Sequence, residues 1–178
     1  MKTAWKLSTG IVAVIVGIAT WNYFSVSRPV AARLAKDDRN DKVSVWAYHQ
    51  YGVVPSVLVF DLRGVSDQAA QLDVMRALFH SAEGLKESQF DRVLLSHRGI
   101  PKLMLDGAHF RKIGEEFATQ NPIFTIRTLP ENVKKLDGSA AYGTWTGGML
   151  GVLGKQMEDV TKFSQDWYLG DLTESAKR

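Results

Sequence analysis

The chain predicts an α/β fold: a single small domain built on a mixed, α+β-like sheet with a βαβ unit and a C-terminal amphipathic helix, preceded by one N-terminal transmembrane helix. Three observations predict it. Leu7 to Ser27 is a run of 21 residues without a charge. An apolar, β-branched-rich run, Ser56 to Leu62, and a second strand, Phe90 to His97, flank a stretch with helical periodicity. Near the C-terminus, Leu150, Leu153, Met157, Val160 and Trp167 recur at intervals of three and four, with Phe163 beside them.

At a rise of 1.5 Å, roughly 20 helical residues cross a hydrocarbon core of about 30 Å, so the 7–27 segment is long enough to span. Trp21, Tyr23 and Phe24 close it with rings that favour the membrane–water interface. A cleaved secretory signal is the rival reading, because Lys2 and Lys6 precede the apolar run and small-x-small triplets occur at Gly17-Ile18-Ala19 and Ser25-Val26-Ser27. The continuation of the run through three aromatic residues favours a retained anchor. The basic N-terminal tail places the domain on the exported side, periplasmic or extracellular, although Arg28, Arg33, Lys36 and Arg39 follow the span. The expected organisation is a tail over 1–6, the anchor over 7–27, a polar tether over 28–41, the domain over 42–170 and a frayed tail over 171–178.

Within the domain, Val43 to Tyr51 alternates two faces at a period of two and reads as a strand, closed by a turn from Gly52 to Pro55. Ser56 to Leu62 reads as a central strand covered on both faces. Ser66 or Asp67 is the expected cap of a helix carrying Leu72, Met75, Leu78, Phe79, Ala82 and Leu85 on one side. The strand Phe90–His97 then completes a right-handed βαβ unit with parallel strands. Arg98 to Pro101 is a turn, and Lys102 to Asp106 returns antiparallel. Asp106 caps a short helix with Phe110, Ile113 and Phe117 in a stripe, ended by Asn121-Pro122. Ile123 to Leu129 reads as a fifth strand, Pro130 to Leu136 as a helical turn, and Gly170 as the stop of the last helix.

An apolar fraction of 45% with 10% aromatic residues excludes a disordered chain. The absence of cysteine removes disulfides, thiolate nucleophiles and cysteine-based metal centres. The first 40 residues hold six basic and two acidic side chains, leaving sixteen against seventeen in the remainder. The basic excess therefore belongs to the N-terminal piece, and the domain lacks the basic face that nucleic acid requires.

The candidate chemistry sits at the carboxyl ends of the two parallel strands, where α/β sheets bind ligands. Asp61 and Arg63 close the first and Ser96 and His97 the second. A carboxylate orienting a histidine that activates a hydroxyl would make Asp61, Ser96 and His97 a catalytic set, with Arg63 binding an anion. Ser96 and His97 are adjacent, however, and a regular strand turns them to opposite faces. No histidine pair has zinc-site spacing, and no cofactor motif is complete: the 143–155 glycine-rich stretch has Met149 and Gln156 where a phosphate loop needs Gly and Ser or Thr.

Gly148, Gly151 and Gly154 instead give one helix face without side chains, suited to close packing, and Trp145 and Trp167 bracket it as candidate interface anchors. The expected function is thus a membrane-tethered, non-catalytic binding or assembly module whose partner is another protein or a second copy of the chain. The alternative is a small hydrolase using Asp61, His97 and Ser96.

Overall fold

The computed structural model describes residues 2–117 and 119–175. A continuous helical rod opens the chain: α1 Lys2–Asn22, a π-helical turn Tyr23–Ser27, and α2 Arg28–Leu34. Gly10–Leu34 is long and apolar enough to cross a membrane. Residues 28–34, expected as part of a tether, are therefore the end of the rod. The reason is a four-residue stripe, Asn22, Val26 and Val30, which is buried against the domain while Arg28 points away. The wider π turn immediately precedes Pro29, whose ring would clash with the preceding turn of a regular α-helix. Arg33 Nε donates to Glu83 at 2.7 Å, and Gly84 allows the Pro29 carbonyl to approach.

Five strands form one sheet in the order β1-β2-β3-β4-β5: β1 Val43–Gln50, β2 Val54–Val65, β3 Arg92–His97, β4 Ile100–Asp106 and β5 Val133–Lys134. The β2–β3 pair is parallel and the others antiparallel, so the sheet is mixed as expected. The crossover helix, α3 Gln71–Gly84, starts later than Ser66 or Asp67. Ser66 opens a turn with Ala69, and Asp73 accepts the Ala70 N–H at 2.9 Å to satisfy the first helical turn. The main core lies between one face of the sheet (Leu58, Phe60, Leu62, Val93, Leu95, Leu103, Leu105) and a helix layer. The opposite face carries a smaller cluster, Val57, Val59, Leu94 and Met104, with no helical residue in it.

After α4 Gly107–Glu116, the expected strand over 123–129 is instead α5 Pro122–Thr128. Asn121 accepts the Ile123 N–H at 3.0 Å and Pro122 takes the first helical position, so capping chemistry overrides the β-branched run. The fifth strand is the two-residue Val133–Lys134. At the C-terminus α6 Met149–Ser164 runs through a π turn, Gln165–Leu169, into α7 Gly170–Ser175. Gly170 does not stop it, because its φ of −56° is helical.

Candidate functional site

The parallel register sets Asp61 beside Ser96 and Leu62 beside His97. Alternation along the strands then places the Asp61 and Ser96 side chains on the face away from the helices and His97 on the helix side. The sheet brings Asp61, Arg63 and Ser96 together and separates His97 from them. Asp61 is fully buried, and its Oδ1 accepts the Gly99 N–H at 2.9 Å while Oδ2 accepts from Arg63 Nη1 at 3.0 Å. That anchors the β3–β4 turn, where Arg98 and Gly99 adopt left-handed φ values of 51° and 85°. Ser96 Oγ is buried without a hydrogen-bond partner among the described residues.

The carboxylate at His97 is Asp171, from α7. His97 Nδ1 donates to Asp171 Oδ2 at 2.8 Å, and Lys102 Nζ donates to Oδ1 at 2.9 Å. These two bonds, His97 first, hold the Asp171 carboxyl below the usual carboxylate range. The segment expected to fray is thereby tied to the end of the sheet. No local pattern announces Asp171, because its partners lie 74 and 69 residues away.

A groove of about 570 Å³ runs over the outer edge of β1, between Tyr23, Ser27, Val30 and Ala31 of the rod and Val45 to Tyr48 of the strand, with Asp61 and Arg63 at its floor and end. Among the described residues β1 pairs with no strand but β2. On its free side Asn22 Oδ1 accepts the His49 N–H at 2.8 Å and Ser27 Oγ donates to the Ala47 carbonyl at 2.7 Å. By the antiparallel alternation, the N–H of Ala47 and both backbone groups of Val45 face the groove. The Arg63 guanidinium lies over the Trp46 ring, 4.6 Å from its centroid, which fixes a half-exposed cation at the groove's edge. Burial raises the Tyr48 hydroxyl pKa, and the nearby Asp61 carboxylate raises it further. The edge-strand groove is the feature that residue-by-residue reading missed; the alternation of Val43 to Tyr51 signalled a two-faced strand, but not that its outer side meets side chains of the rod instead of another strand.

Trp167 is fully buried, donates to the Ser96 carbonyl at 3.1 Å and packs on Phe60 and Phe163, so this candidate interface residue belongs to the core. Trp145 stays at the surface, where its indole N–H donates to Asp159 at 2.6 Å. A Cβ added at Gly151 or Gly154 would meet nothing within 4 Å, so among the described residues no other element packs against these glycines. The expected close packing is not intramolecular, since α6 turns Val160 and Phe163 inward and leaves Leu150 and the glycines outward. Among the described residues no group of three or more His, Asp or Glu side chains could hold a metal ion. Comparison with known proteins finds no matching family model, no matching curated protein and no matching solved structure.

Proposed function

We propose that this chain is a membrane-tethered, non-catalytic binding module that takes an extended protein segment along the free edge of β1. The observation that carries this reading is the groove beside a strand edge on which the Ala47 N–H and both backbone groups of Val45 have no strand to bond, the Ala47 carbonyl being taken by Ser27. Strand addition would satisfy them, with affinity from main-chain hydrogen bonds and selectivity from alternate side chains. Trp46, Tyr48 and Tyr23 supply apolar walls, and Arg63 supplies a fixed cation for an acidic residue of the partner. The rod that bounds the groove is the same helix that is apolar enough to anchor in a membrane, so docking would take place close to the bilayer.

The test is a photo-crosslinking residue at Tyr48 in native membranes, compared with the same variant carrying Ala47→Pro. Proline at 47 removes an N–H that faces the groove and leaves the β1–β2 ladder intact. Ala47 is buried, so the proline ring should lower the midpoint, and the expected result is a discrete adduct mapping to one extended segment of the partner, lost in a proline variant that still unfolds in one cooperative transition. An adduct unaffected by the proline, or no adduct from position 48, overturns the reading.

A further inference from the structure

From Gly10 to Thr20 the rod is exposed apart from Ile18, which is half-buried. What touches Ile18 is the tip of the β1–β2 hairpin: a Cβ at Gly52 would stand 3.2 Å from Ile18 Cγ2. Asn22 clamps the same turn, donating to the Gly52 carbonyl at 2.7 Å and to the Ile18 carbonyl at 2.9 Å. His49, behind the tip, stacks on Trp21 at 4.3 Å between centroids, and its Nε2–H donates to Ser25 Oγ at 3.1 Å. Burial lowers the His49 pKa, so the ring is neutral near pH 7. The hairpin thus descends along the rod into the segment without charges.

The tip itself is apolar and unprotected. His49 to Phe60 contains no carboxylate, ammonium or guanidinium, and the turn exposes 83% of Tyr51 and 52% of Val53. Tyr51 is held at φ 55°, a left-handed conformation that a bulky aromatic residue adopts only when its surroundings impose it. In this conformation the side chain stands open to its surroundings. The domain takes up the rod from Asn22 onward, burying Asn22, Val26 and Val30, so a bilayer's hydrocarbon can reach no further than Trp21 instead of the Ser27 that the uncharged run suggests, with Lys2 and Lys6 extending to the opposite headgroups. Ile18, and with it the hairpin tip, then lies about 5 Å inside that edge, at the depth where tyrosine and partly buried apolar side chains are favoured.

We infer that the β1–β2 hairpin tip, Tyr51 to Val53, is a second membrane contact that inserts into the headgroup–acyl boundary of the leaflet from which the helix emerges. The inference rests on the anchor reading of the N-terminal helix and adds to it an orientation: two contacts with the bilayer, joined by Asn22, fix the domain's tilt and rotation. The continuity of the tip with Ile18 and Trp21 makes lipid the occupant of this surface.

The cysteine-free chain allows a clean test. Single-cysteine variants Ile15→Cys, Val53→Cys and Asp67→Cys of the full chain are labelled with an environment-sensitive fluorophore and reconstituted in phosphatidylcholine–phosphatidylglycerol vesicles. Ile15 reports the anchor, and Asp67, beyond the carboxyl end of β2, reports the far side of the domain. The expected result is loss of the Val53 signal with lipids spin-labelled near the headgroup, loss of the Ile15 signal with lipids labelled deep in the chain, and loss of the Asp67 signal with aqueous iodide alone. A Val53 label quenched by iodide alone, or shielded from both quenchers as beneath a protein partner, overturns the inference while a lipid-quenched Ile15 leaves the anchor standing. If the Ile15 label is also insensitive to lipid quenchers, the anchor reading falls, and the inference falls with it.

Discussion

Asp171 shows how much a single side chain decides at the end of this sheet. A fully buried imidazole needs an acceptor for its N–H, and Asp171 is the acceptor for His97 while also receiving Lys102. Replacing Asp171 by alanine leaves the buried His97 donor unpaired and releases α7. The expected cost is about 1–3 kcal/mol, nearer the lower figure because the carboxylate is partly exposed and screened. Asp171→Asn, which keeps an oxygen acceptor, should lose less; urea denaturation of the three proteins gives the comparison, and equal midpoints would show that the pair contributes nothing. The pH dependence has a definite sign. The folded-state pKa of Asp171 is depressed below its ordinary 3.8, so its contribution is present above that value and disappears as the pH falls through the lowered one.

The elements were legible where one physical signal dominated. Period-two alternation located β1, apolar runs located β2 and β3, and the three-and-four spacing located α3 and α6. The same alternation separates Ser96 from His97, whereas the parallel register, which no local pattern carries, decides that Ser96 is the one beside Asp61. Two signals competed at 122–128, where β-branched residues argued for a strand and Asn121-Pro122 argued for a helix start, and the cap won. Long-range partners such as Asp171 leave no local trace.

Glycine shows the same division between local and tertiary causes. A Cβ at Gly114 would collide with the Ala82 carbonyl where α4 crosses α3, whereas one at Gly151 or Gly154 meets open space. Gly114→Ala should therefore destabilise the protein by at least about 1–3 kcal/mol through overpacking. Gly151→Ala and Gly154→Ala should each stabilise it by up to about 1 kcal/mol through helix propensity alone. Thermal unfolding reads both signs, and a loss of stability at 151 or 154 would reveal a packing contact that α6 makes with something other than its own chain.

At the scale of the whole molecule, the rod is both part of the core and the candidate anchor. Sequence reading assigned 28–41 to a tether because Arg28, Arg33, Lys36 and Pro29 interrupt the apolar run, yet the buried stripe of Asn22, Val26 and Val30 passes between those charges. A tether would let the domain tumble beneath a membrane; a packed rod transmits the helix's tilt directly to β1 and α3. The two arrangements differ in what truncation does. A fragment beginning at residue 20 keeps Asn22, Val26 and Val30 and should retain the unfolding midpoint of the full chain in mild detergent. One beginning at residue 42 exposes the surfaces that Val26 and Val30 cover, each contributing about 1.5–3 kcal/mol when fully buried, and also loses the Arg33–Glu83 pair and the Asn40 side-chain contact with His80 at 3.0 Å. Its unfolding free energy should fall by several kcal/mol, lowering the midpoint, or its cooperative transition should vanish. Equal denaturant midpoints for the two fragments would mean that the rod only leans on the domain, and the mechanical coupling between membrane helix and edge-strand groove would have to be abandoned.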